Sequence, residues 1–272
     1  MESKLAKAVD LKTHPMAITW ADEAPAGALQ FKPGTWGCVV SLFAAVATKG
    51  KMAAFHRDTY GCWGGGVGLG FGNQYEVFPG GVECFCGFLA HGNDHTAKGR
   101  QIGEQLASGA GARIADDFKF GERYMQSADT TKRFLDSMPM RDLGGKFVVA
   151  KPLEAVDPKQ EDIKSVTFFV EPDALSALVI LANYSRPEID NVIIPWAAGC
   201  QVIGIYAYRE LEREFPRALV GMTDISARRN TRAALGKHVL SFTMPWPLFL
   251  EMERNSEGSF LQRETWEALM TS

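Results

Sequence analysis

The stretch GCWGGGVGLGFG, Gly61 to Gly72, sets seven glycines around one cysteine, and it restricts the fold more than any other part of the chain. Glycine tolerates positive φ and carries no side-chain bulk, so a run this dense serves one of two ends. Either successive backbone amides come close to a ligand, curling around an anion or a cluster, or the segment is a tight loop in which Cys62 is incidental. The dinucleotide fingerprint G-x-G-x-x-G fits poorly. The spacing here is G-x-G-x-G-x-G over 66, 68, 70 and 72, and no acidic residue follows about 20 positions on. On the cluster reading, Gly61, Gly64, Gly65, Gly66 and Gly68 supply N–H donors and space.

The other cysteines decide how Cys62 is read. Cys38, Cys84, Cys86 and Cys200 complete a set of five, an odd number scattered through 272 residues, which suits reduced thiols or a metal site better than a disulfide framework. Buried apolar thiols are the plainer alternative for each. Cys38 opens a predicted helix, while Cys62 and Cys200 each follow a glycine where a strand-like run ends. Helix starts and glycine neighbours make a thiolate accessible to iron. In the run GVECFCGFL, read as a strand, Cys84 and Cys86 point to one face, and either is a candidate fourth ligand. His91 and His95 in HGNDH have metal-ligand spacing, but Gly-Asn-Asp between them argues for a loop and a cap.

A shift of 138 residues lays Cys62 on Cys200 and the helical face Val39, Leu42, Phe43, Val46 on Ala177, Ile180, Leu181, Tyr184. The order strand, helix, strand, Gly-Cys, strand then reads twice, which predicts a mixed α/β (α+β) fold in two pseudo-repeated halves. The expected division is an N-terminal helical extension over 1–13, a first half over 14–150, and a second over 151–272 with a C-terminal helix, packed as one globular unit. Further helices are predicted in TAKGRQIGEQLASGA, SADTTKRFLDSM, MPWPLFLEMERN and LQRETWEALM.

A formal net charge of -3 and a pI near 6.0 offer no basic field for nucleic acid. The charged N-terminus MESKLAKAVDLKTH and the lack of any apolar run of membrane-spanning length lead us to expect a cytoplasmic protein with a small-molecule substrate or an electron-transfer partner. Serine-hydrolase elbows, Walker A and H-E-x-x-H are absent. Near strand ends, His56, Arg57, Asp224 and Arg228 are candidate catalytic residues, with ordinary capping the simpler account for the aspartate.

The blocks WGCVVSLFAAVATKGK, TYGCWGGGVGLGFG, DNVIIPWAAGCQ, GMTDISARRN and LSFTMPWPLFLEMERNSEGSF resemble the uncharacterised ArCR-type family, domain of unknown function one hundred and sixty-nine, from about Pro15 to Phe260. That family occurs in archaea and anaerobic bacteria. The resemblance implies that Cys38, Cys62 and Cys200 belong to the family pattern, that CFC is peculiar to a subset, and that an oxygen-sensitive centre is compatible with the hosts. We therefore expect a [4Fe-4S] protein ligated by Cys38, Cys62 and Cys200, working as an oxidoreductase or a lyase. Two alternatives stay open: a non-catalytic module binding a small anion or nucleotide in the glycine loop, and a thiol enzyme with Cys62 as nucleophile and His56 as base.

Overall fold

The computed structural model describes residues 1–109 and 112–271. Its contacts divide the chain into two compact units, one of Met1–Phe71 with Arg141–Ser272 and one of Gly72–Met140. The first unit holds the sheet, the second is helical, and the mixed α+β class is thereby established.

Among the described residues the sheet has seven strands: β1 (Met16–Ala21), β2 (Ala53–Phe55), β3 (Phe147–Pro152), β4 (Asp162–Val170), β5 (Val192–Ile193), β6 (Ala218–Gly221) and β7 (Leu240–Pro245). Their order is β2-β3-β1-β4-β7-β6-β5. Only β5 and β6 pair in parallel; β1 and β4 run antiparallel at the centre, with Met16 opposite Thr167. The strands β4 and β7 show why a sheet forms. In DIKSVTFFV and LSFTMP the residues alternate, so Val166, Phe168, Phe242 and Met244 fall on one face while Ser165, Thr167, Ser241 and Thr243 fall on the other.

The apolar face is covered by α1 (Lys4–Ala8) and by helices of the chain's second part. Phe168 packs edge-on against Phe249, with ring centroids 6.3 Å apart. Phe249 is fully buried, and removing such a ring costs about 3–5 kcal/mol. The hydroxyl face is also buried. There Thr167 and Thr243 hydrogen-bond at 2.9 Å, because a buried hydroxyl without a partner would cost about 1–3 kcal/mol.

In chain order the remaining helices of the first part are α2 (Val39–Lys49) and α3 (Trp63–Leu69), followed in the second unit by α4 (Gly81–Leu89), α5 (Ala97–Gly109), α6 (Ala112–Phe120) and α7 (Ala128–Ser137). Beyond these lie α8 (Pro172–Asn183), α9 (Gly199–Gln201), α10 (Ala207–Leu211), α11 (Ile225–Leu235), α12 (Trp246–Asn255) and α13 (Glu264–Thr271). A π-helical stretch, Val202–Tyr206, joins α9 to α10 without a break. The predicted helix TAKGRQIGEQLASGA ends at Ala110, which lies outside the described residues.

Two expectations are corrected. GVECFCGFL is a helix, α4, not a strand: after Gly80, whose φ of 83° starts it, Cys84, Phe85 and Leu89 bury at helical spacing. The glycine run is no loop, since its central part is α3. The pseudo-repeat is accordingly not confirmed. Cys62 caps a helix, α3, while the Gly199–Cys200 pair opens one, α9, and at the 138-residue offset α2 would fall on 177–187, whereas α8 runs from Pro172 to Asn183.

Candidate functional site

Three helices of the first unit begin with cysteines. Cys38 is the N-cap of α2, Cys62 the N-cap of α3, and Cys200 lies in the first turn of α9. A helix start leaves backbone N–H groups without partners, and the Cys62 sulfur answers one of them. It accepts from the Gly65 amide at 3.3 Å. Cys38 is brought close because the residues before the two cysteines, Gly61 and Gly37, pack backbone on backbone. The approach requires glycine. Gly61 has φ 82°, and a methyl there would lie 2.5 Å from the Gly37 carbonyl oxygen.

Cys200 is held differently. Its thiol donates to the Gly64 carbonyl oxygen at 3.5 Å, which keeps it in the S–H form. The glycines of α3 explain how the helices can meet. A methyl on Gly68 would stand 2.8 Å from the Gln201 amide nitrogen, and one on Gly204 only 1.9 Å from the Gly68 carbonyl oxygen. Helix α3 thus lies backbone against backbone on the helix that carries Cys200, and the widened π-helical turn sits at that crossing. Gly65 makes a similar approach to α2, where a methyl would meet Val39 Cγ2 at 2.5 Å.

Burial pushes the Cys62 thiol up to about 11; the charge of Cys38 adds to the rise, and the Gly65 and Val39 amides oppose it. Burial also lifts Cys200 well above its ordinary value, helped by Cys62, Cys38 and Asp224. The three thiols therefore sense one another. Cys38 and Cys62 are partly exposed and Cys200 is buried.

Asp224 joins this centre from α11. Its carboxylate caps that helix through the Ala227 amide at 2.6 Å and accepts from the Gly199 amide at 2.7 Å. Burial raises its pKa against the pull of those amides and of Arg228. Arg228 donates to backbone carbonyls of Val239 at 3.2 Å and Lys237 at 2.6 Å. The other two candidates are engaged elsewhere: His56 Nδ1 stands 3.2 Å from Asp58 and its ring packs on Phe147, while Arg57 pairs with Asp142.

Among the described residues, however, no group of three or more His, Cys, Asp or Glu side chains could hold a metal ion. This finding overturns the expected [4Fe-4S] cluster and, with it, the iron-sulfur oxidoreductase or lyase and its metal-ligand assignments. Electrostatic reach among Cys38, Cys62 and Cys200 is not convergence on one coordination sphere. Cys84 and Cys86 belong to the helical second unit, and two residues apart on α4 they point to different sides rather than to one face. Sequence reasoning missed the backbone approach of Gly61 to Gly37, which brings the starts of α2 and α3 together from separate segments.

Residues 4–255 match the family described as Uncharacterised ArCR, DUF169. No curated protein and no solved structure matches the chain. Among the described residues no helix is long and apolar enough to cross a membrane.

Proposed function

Because the chain belongs to the uncharacterised ArCR family, whose description names no activity, we propose a function from the cysteine centre: a dithiol that reduces a small disulfide, with Cys62 attacking and Cys38 resolving. The observation that carries this reading is the approach of Gly61 to Gly37, where a methyl on Gly61 would lie 2.5 Å from the Gly37 carbonyl oxygen. It sets the next residues, Cys62 and Cys38, close together, and both residues are partly exposed.

The chemistry balances in two exchanges. Cys62 loses its proton and its thiolate attacks one sulfur of the substrate disulfide, forming a mixed disulfide and releasing the other sulfur as a thiolate, which takes up a proton. Cys38, deprotonated in turn, attacks the Cys62 sulfur, closes the Cys38–Cys62 disulfide and releases the second substrate thiol. Two protein thiols supply the two electrons. The Gly65 amide donates to the sulfur on which charge develops, so it stabilises the attacking thiolate more than the resting thiol. Cys200 takes no covalent part; its S–H bond to Gly64 fixes α3 against α9.

Oxidised glutathione provides the test. The folded protein should release about two thiols per chain, as the two exchanges require, and peptide mapping under non-reducing conditions should find Cys38 joined to Cys62. Cys38→Ser should stop at a glutathione adduct on Cys62. An unchanged thiol count in the folded protein, or a disulfide that omits Cys62, would overturn the proposal.

A further inference from the structure

The helix α11 carries a cation cluster that neither the family description nor the thiol centre accounts for. In ISARRNTRAAL and the GKH that follows stand Arg228, Arg229, Arg232 and Lys237. Among the described residues none of the four forms an ion pair, although the chain as a whole is acidic, with a formal net charge of -3. Three of them, Arg228, Arg232 and Lys237, line one cavity together with Met222, Thr231 and Val239. Arg229 does not line it.

The cavity is built rather than incidental. Arg228 is fixed by donating to the carbonyls of Lys237 at 2.6 Å and Val239 at 3.2 Å, so its guanidinium is oriented before any ligand arrives. The carboxylate whose charge acts on it, Asp224, is itself taken up by the amides of Gly199 and Ala227. Carbonyl dipoles thus meet most of that positive charge. Met222, in the cavity wall, holds φ 62°, a left-handed conformation that costs a non-glycine residue about 1–3 kcal/mol and tends to persist where function maintains it.

From this geometry we infer that the cavity beside α11 is an anion site, one that takes a phosphate group through Arg228, Arg232 and Lys237. Its enclosed part, about 20 Å³, has room for little more than one water, and most of the roughly 260 Å³ of empty space is open to solvent. The anion therefore sits at the mouth, where Arg232 and Lys237 are exposed, with the remainder of the ligand outside. Arg232 and Lys237, with the charge that the carbonyls leave on Arg228, favour a doubly charged tetrahedral oxyanion over a single carboxylate. The site lies next to the cysteine centre through its wall: a methyl on Gly199, the residue before Cys200, would be 3.0 Å from Met222 Sδ. The inference does not rest on the dithiol reading, since none of the groups that would bind the anion is a thiol.

The competing account is local. Arg232 sits in the last turn of α11, where a cation stabilises the helix end without any ligand. Titration with inorganic phosphate and pyrophosphate, followed by calorimetry and amide chemical shifts, separates the two. We expect saturable binding that weakens about tenfold or more in Arg232→Ala and in Lys237→Ala, the loss of one charge-assisted contact. Arg229→Ala removes the same charge from the same helix outside the cavity and should change the affinity less than about twofold. Equal weakening in all three variants would reduce the effect to net charge and overturn the site. So would the absence of saturable binding, or a fall in thermal stability of Arg232→Ala with unchanged phosphate affinity. Vesicles of phosphatidylcholine with phosphatidylserine form the last arm: binding to them without binding to free phosphate would assign the cations to a lipid surface and also overturn the proposal. Cysteine variants that abolish disulfide formation should bind phosphate as the parent does.

Discussion

Cys62 illustrates how one side chain is pulled by opposed forces. Burial and the neighbouring Cys38 raise its pKa to about 11, and two amides resist. The resting group is therefore a neutral thiol, whose reactivity is held back until the pH rises. Alkylation of Cys62 by iodoacetamide should accelerate about tenfold per pH unit from pH 7 to beyond 9.5, whereas an ordinary thiol levels off near 8.5; peptide-resolved mass spectrometry reads the rates. The same elevation bears on stability. The folded state keeps its proton to about 11 and the unfolded chain releases it near 9.0, so the contribution is complete below 9 and is lost as the pH climbs through 11. The loss is on the order of 2–3 kcal/mol, because the folded thiol holds its proton roughly a hundredfold more tightly than the unfolded one. Cys62→Ala should flatten that alkaline decline in chemical denaturation; an identical slope in the variant would count against a Cys62 that stays protonated in the folded state.

At the scale of elements, the α9–π–α10 helix holds the centre together. Its far end is tied down by Glu210, fully buried and bonded to Arg217 at 2.9 and 3.0 Å. Burial alone would raise the Glu210 pKa, yet Arg217, Arg209 and Arg213 hold it below the ordinary carboxylate value. Its near end meets α3 at Gly68 and Gly204. Gly204→Ala would place a methyl 1.9 Å from the Gly68 carbonyl oxygen in the last turn of α3, and we expect a loss of about 2 kcal/mol or more in unfolding free energy. Gly144→Ala, where φ is positive and the space empty, would register backbone strain alone and should cost less. Much of this was hidden in the sequence. Gly68 read as part of a ligand loop because the partner that needs it bare lies more than 130 residues away, at Cys200 and Gly204. Likewise GVECFCGFL is too short an apolar run for periodicity to tell strand from helix. What could be read were elements that carry their own punctuation, such as Ser127 capping α7 through the Thr130 amide and the alternation in β7.

For the molecule as a whole, the grouping of the cysteines rested on a pseudo-repeat that is not confirmed, and the metal chemistry drawn from it was misjudged. Cys38, Cys62 and Cys200 do belong to one electrostatic environment, but thiols that act on one another need not share a metal, and only three-dimensional convergence separates the two cases. The mixed α+β class followed from strands and helices interleaved along the chain; the division into compact units did not, because nothing in the composition of Gly72–Met140 marks it as separate.

The chain leaves the sheet-bearing unit at Phe71 and re-enters it at Arg141, and the two crossing points are fastened: Phe71 bridges Asp142 antiparallel, and the Leu143 amide donates to the Gly70 carbonyl at 2.8 Å. The interrupted fold is thus stapled shut across its own gap, so the intervening 72–140 segment is a graft rather than a link in the main fold. Closing a short loop costs less entropy than closing a long one, and excising 72–140 in favour of a brief Gly-Ser connector should leave the seven-stranded sheet folding unaided. Amide-exchange protection of β1, β4 and β7 in the shortened chain measures this directly. Its loss would mean that the graft has become a foundation.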